Sequence, residues 1–177
     1  MRAILDTNVL LVANHKHQDA SEECVEVCVE ALNEVQSSGK LVIDDQYLLL
    51  EEYQHKTNSK SPKGVGDVFL KWLLQNQANS EKVIQVSVTP LTCDRFEEFP
   101  DSDLQERFDP PDRKFIAVAA ADEGRSTILQ AADCKWLDWW QALSQHKIKV
   151  HFICPDDVCR FYDKKFPEKA RPELPQL

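Results

Sequence analysis

Five short runs of apolar and β-branched residues recur along the chain, at 2–5, 40–43, 83–88, 127–129 and 149–153, with helical spacing between them. None alternates cleanly between apolar and polar residues. A strand with one wet face alternates; a strand covered on both faces does not. Strands that alternate with helices join in parallel through right-handed crossovers. The expectation is therefore one α/β domain over residues 1–166, a parallel sheet of five strands flanked by helices. Residues 167–177 are proline-rich and expected to be mobile or draped over the surface.

The clearest helix lies between the first two runs. Cys24, Cys28, Ala31 and Val35 recur at its spacing, joined by Val25 and Leu32. Asp19 or Ser21 can cap its start, and Gly39 follows its end. Further helices are expected over 47–53, 68–74 (with Trp72 in the core), 115–122, 136–143 and 156–162.

No apolar run approaches the ~20 residues of a membrane span. Asp6 and Asn8 break the first apolar stretch early, unlike a secretory leader, so a cytoplasmic location away from membranes is expected. In that setting the six cysteines are expected to be reduced structural thiols. Cys24 and Cys28 lie one helical turn apart, but no second closely spaced pair completes a zinc pattern. The net charge of -9 argues against broad charge-driven coating of nucleic acid. It leaves room for an enzyme that gathers carboxylates in one cleft and bases at its rim. One loop, 55–66, carries His55, Lys56, Lys60 and Lys63 with no acid among them.

Ligands of open parallel sheets sit beyond the carboxyl ends of the strands. Asp6 follows the first run, Asp44 and Asp45 the second, and Asp133 the fourth. A helix starting near Asp112 can bring that residue to the same edge. Each acid alone is explained equally well as a helix N-cap. Several on one edge repel each other and raise each other's pKa, and a hard divalent cation relieves that repulsion.

At these positions the chain resembles the PIN-domain nucleases. Ile4-Leu5-Asp6-Thr7-Asn8-Val9-Leu10-Leu11 is similar to the family's opening strand and acidic motif. Leu49-Leu50-Glu51-Glu52-Tyr53 is similar to the helix that carries its glutamate. Asp112-Arg113-Lys114-Phe115-Ile116-Ala117-Val118-Ala119 resembles the third motif, and Ile128 to Trp136, around Asp133, the fourth. The resemblance implies a strand order of 3-2-1-4-5 and Mg²⁺- or Mn²⁺-dependent hydrolysis of phosphodiester bonds, usually in RNA. Asp6, Glu52, Asp112 and Asp133 become the catalytic, metal-binding acids, with Glu51 a rival to Glu52. Thr7 and Asn8 become residues that orient Asp6. Lys56, Lys60, Lys63 and Lys114 are candidate substrate contacts. Small members of the family are often toxins held by an antitoxin, or processing and defence nucleases, and dimers are frequent. An antitoxin or other protein partner and a homodimer are therefore the partners the resemblance implies beside RNA.

The chain departs from the family pattern at Ala131, where Ser or Thr is usual, and at Lys135, where a second acid is usual. Both favour an alternative, a PIN-like module that binds RNA or a protein without cutting. A haloacid-dehalogenase-type phosphatase needs an acid at position 8, which is Asn. A dinucleotide-binding enzyme needs glycines after the first strand, and none precedes Gly39.

Overall fold

A computed structural model describes residues 1–176. Its centre is a five-stranded, all-parallel sheet of β1 (Arg2–Leu5), β2 (Lys40–Asp44), β3 (Val83–Val86), β6 (Thr127–Gln130) and β7 (Lys149–Phe152). The spatial order is β3-β2-β1-β6-β7. Numbering these strands alone reproduces the expected 3-2-1-4-5. The register pairs Ala3 with Leu41 and Thr127, and Ile128 with Val150. Ala3, Ile4, Leu5, Leu41, Val42, Ile43 and Ile128 are all fully buried, as the lack of alternation requires.

Helices α1 (Thr7–Ala13), α2 (Glu22–Ser37) and α4 (Val65–Asn76) pack on one another, while α6 (Arg113–Ala121) lies across β1, β2 and β6. Ser21, not Asp19, caps α2 by accepting from the Cys24 amide at 3.1 Å. Helix α4 extends well beyond the expected 68–74 at both ends. Gly66 explains its close approach to α1: a Cβ there would lie 2.3 Å from the Leu10 carbonyl oxygen. Helix α1 is absent from the expectations because Val9 to Ala13 is apolar on every side, so no polar face reveals its period.

Between β3 and α6 the chain forms a further unit: a hairpin of β4 (Pro90–Leu91) and β5 (Arg95–Phe96), then α5 (Ser102–Arg107). Its apolar residues Phe96, Phe99, Leu104 and Phe108 close over Trp136, whose ring meets Phe108 edge-on at 5.3 Å. Buried Arg113 ties this unit to α6. Its guanidinium donates to the carbonyls of Phe108, Cys93 and Glu106 at 3.1, 3.2 and 3.3 Å.

The single helix expected over 136–143 is a 3-10 turn, Cys134–Asp138, followed by α7 (Trp140–Gln145). The remaining helices are α3 (Leu48–Lys56) and α8 (Pro155–Lys165). The segment after α8 drapes over the body: the Trp140 indole donates to the Glu173 carbonyl at 2.8 Å, and Leu174 packs against the core. Among the described residues no helix is long and apolar enough to cross a membrane.

The expectation of reduced thiols throughout is corrected. Cys24 and Cys154 form a disulfide, across 130 residues of sequence. Helix α2 and the start of α8 meet only through the fold, so no local spacing signals the pair.

Candidate active site

The parallel sheet delivers its strand ends to one edge, and the acids converge there. Asp6 directly follows β1 and is only 3 % exposed. It is the N-cap of α1, accepting from the Asn8 amide at 2.8 Å. Asp133 caps the next turn in the same way, accepting from the Lys135 amide at 3.1 Å. For both, the cap expected of an isolated acid is real, but it uses one carboxylate oxygen and leaves the other. Asp112 sits where a cap belongs yet makes no capping bond. Its Oδ2 accepts from the Trp136 indole at 3.3 Å. Among the described residues, no protein donor reaches the second oxygen of Asp6, Asp112 or Asp133.

These acids feel one another. Burial, then the charge of Asp112, pushes the Asp6 carboxyl well above the usual carboxylate range, with Asp133 and Glu52 adding to it. Burial, then the charges of Asp133 and Asp109, lifts Asp112 to about 7 against the opposing indole hydrogen bond. The oxygens nonetheless stay spread along the edge. Among the described residues, the acids form no group of three or more whose ligand atoms all lie within 4.8 Å. The fit to a hard cation rests on the donor set: three uncommitted carboxylate oxygens, mutually repelling, beside open clefts.

Glu52 stands at the same edge and Glu51 faces solvent. The oxygens of Glu52 are engaged, one by the Thr7 hydroxyl and one by the Lys114 ammonium. Thr7 therefore orients Glu52, not Asp6 as expected. Asn8 does serve Asp6, but through its backbone. Asp44 belongs elsewhere: it caps α3 through the Leu48 and Leu49 amides at 2.8 and 3.0 Å. Lys135 extends to Asp109 at the rim.

Two clefts flank the acids. One, of about 460 Å³, is lined by Asn8, His17, Asp133, Phe161, Lys164 and Lys165. The other, of about 560 Å³, is lined by Glu52, His55, Lys56, Phe96 and Lys114 among others. Of the expected substrate contacts, Lys56 and Lys114 line a cleft at this edge. Lys60 and Lys63 are exposed on the following loop and line neither cleft. That loop is a folded corner, with the Asn58 and Lys63 amides donating to Asp67 at 2.9 and 3.0 Å.

Sequence reasoning passed over several residues here. Gln130, fully buried at the end of β6, accepts from the Asp133 amide at 3.2 Å, and its Nε2 has no hydrogen-bond partner among the described residues. Trp136 holds Asp112. Lys164 and Lys165 stand as a visible basic pair in the last helix, but only the fold carries them to Asp133. His17 stacks near Phe161, ring centres 5.1 Å apart, in the same cleft.

Comparison with family models, with characterised proteins and with solved structures gives no match to this chain.

Proposed function

We propose that the chain is a Mg²⁺- or Mn²⁺-dependent endoribonuclease of the PIN type, acting on single-stranded RNA in the cytoplasm. One observation carries this reading: Asp6 and Asp112, set far apart in sequence, share one sheet edge with Asp133 and Glu52, and the Asp6 and Asp112 carboxyls are raised by burial and by the charges of the neighbouring acids. A fold gains no stability from such an arrangement unless a cation completes it. Asp6, Asp112 and Asp133 would hold the ion through their uncommitted oxygens, with Glu52 joining once Lys114 turns to substrate. What a hard divalent ion supplies there is neutralisation of phosphate charge and a bound water acidic enough to yield hydroxide near neutral pH.

The chain's own groups account for the rest. Gln130 and Trp136 fix Asp133 and Asp112, and Thr7 fixes Glu52. Lys56 and Lys114 on one side, and Lys164 and Lys165 on the other, meet a phosphate backbone passing over the acids. Phe161 and His17 offer a surface on which a base can stack.

A second reading, binding without cleavage, has an observation of its own: Lys135 pairs with Asp109 where the resembled family has an acid. Incubating labelled single-stranded RNA and DNA with the protein separates the readings. The nuclease reading expects RNA cleavage with Mn²⁺, none with chelator, and none from Asp6→Asn. Retention of RNA without metal-dependent cleavage would select the binding module, and preferential cleavage of DNA would revise the substrate.

A further inference from the structure

A second cluster of ligand-type side chains lies apart from the carboxylate edge. Cys24, Cys28 and Cys154 have their sulfurs within 4.8 Å of one another, all buried. Cys28 Sγ is 3.9 Å from Cys154 Sγ. Trigonal coordination with metal–sulfur bonds of about 2.3 Å spaces its sulfurs about 4 Å apart. The Cys28–Cys154 separation already suits it, and Cys24 and Cys154, bonded here, separate toward it on reduction. No fourth His, Cys, Asp or Glu joins the group among the described residues. Asp157, whose charge bears on Cys28, is committed to the Ser21 amide at 2.7 Å and to the Arg160 guanidinium at 2.6 Å.

Two helix N-termini point at this cluster. Cys24 lies in the first turn of the 16-residue α2, and Cys154 is the N-cap of the 11-residue α8. The partial positive charge of both ends favours thiolate over thiol. A small cleft of about 60 Å³, lined by Cys24, Cys154, Glu23 and Asp156 among others, reaches two of the three cysteines from solvent and carries the Glu23 and Asp156 carboxylates at its mouth. With Cys24 and Cys154 joined, burial and then the charge of Asp157 push the Cys28 thiol up to about 12.

We propose that the reduced Cys24–Cys28–Cys154 trio is a binding site for a soft monovalent d¹⁰ cation, Cu⁺ in the first instance, and that formation of the Cys24–Cys154 disulfide closes it. Three sulfurs without a fourth side chain suit such an ion, whereas structural zinc asks for four ligands. Opening the site needs a thiol reductant. Two reductant thiols leave as their own disulfide, and Cys24 and Cys154 each gain a hydrogen. Each sulfur that then binds the cation releases its proton.

The test uses Cu⁺ alone, delivered without oxygen to desalted protein and competed against a coloured Cu⁺ chelator. Reduced wild type is expected to withdraw one equivalent, and disulfide-oxidised wild type none. Cys28→Ala, which leaves the disulfide pair intact, loses the equivalent; Cys93→Ala, an exposed thiol elsewhere, keeps it. Asp6→Asn binds Cu⁺ as wild type does, so this result and the RNA cleavage result fail independently. Equal Cu⁺ retention by the reduced and oxidised protein overturns the proposal, as does full retention by Cys28→Ala. Withdrawal of Zn²⁺ but not Cu⁺ from its chelator overturns the three-sulfur assignment.

Discussion

Asp67 and Asp6 are buried to the same degree, 2 % and 3 % exposed, and have opposite characters. Asp67 pins the corner between α3 and α4. The Asn58 and Lys63 amides and the Asn14 side chain donate to it at 2.9, 3.0 and 2.8 Å, and Lys16 stands 3.9 Å away. Burial pushes its carboxyl up, but the donors outweigh burial and the pKa falls below the ordinary value. Asp6 has one amide donor and faces three acids, so burial and repulsion win. Asp157 at the start of α8 follows Asp67, its pKa lowered by Arg160 and the Ser21 amide in spite of burial. Burial alone therefore says little about an acid's role. A buried acid surrounded by donors completes the fold; one surrounded by acids is left unsatisfied by the chain's own groups.

The sharpest way to break this contrast is to neutralise each member. Asp6→Asn is expected to lower metal-dependent RNA cleavage by roughly 10³-fold, the scale of losing a group that stabilises transition-state charge. Its melting temperature should hold or rise, because a repulsion is relieved. Initial rates and thermal unfolding on the same sample check both.

The raised Asp112 makes metal-free stability depend on pH with a definite sign. Unfolded, its carboxyl titrates near 4; folded, it titrates at about 7. Between these values the folded chain holds the proton more tightly, so stability falls as pH rises through the window and levels above it. The loss is at most about 4 kcal/mol. Urea midpoints from pH 4.5 to 8, with chelator, are expected to show this decline. Asp112→Asn makes it shallower, leaving the part that raised Asp6 contributes, and saturating Mg²⁺ offsets it at the high-pH end.

Asp67→Ala reverses the Asp6 result. Its removal strands several donors and should destabilise the fold by about 3 kcal/mol, read from the shift in urea midpoint. Cleavage per folded molecule should stay near wild type; a loss there as deep as that of Asp6→Asn would erase the distinction. The smallest effect belongs to the rim. Lys165→Ala should raise KM for RNA a few-fold, leave kcat alone, and reduce the salt dependence of binding by about one phosphate contact.

Much of this contrast was legible beforehand. The five runs mark the five strands and their parallel order; burial on both faces holds for the three central strands, while the edge strands β3 and β7 expose Gln85 and Lys149. Asp6, Asp112 and Asp133 stand at strand or helix ends that a parallel sheet must bring to one edge. Glu52 reaches the edge one residue from exposed Glu51, a choice the helix periodicity alone leaves open. What stayed hidden depends on distant packing. Asp67 gives no hint of its donors, since Asn14 and Asn58 come from other turns. Arg113 looks like a basic neighbour of Asp112, but it holds three carbonyls of a hairpin unit that has too few residues to show a period. Cys24 and Cys154 meet only after α2 and α8 have docked. The loop with Lys60 and Lys63 looks like a charged surface ready for RNA, while its backbone is folded around Asp67.

The central claim is that the acids at the sheet edge remain incomplete until a hard cation joins them. Titration calorimetry with Mn²⁺ at pH 7, repeated in buffers of different ionisation enthalpy, tests it most directly. The account predicts uptake of Mn²⁺ with release of protons from the raised carboxyls, with binding abolished by Asp6→Asn and proton release reduced by Asp112→Asn. Absence of Mn²⁺ binding to the wild-type chain, or binding that both substitutions leave unchanged, contradicts it.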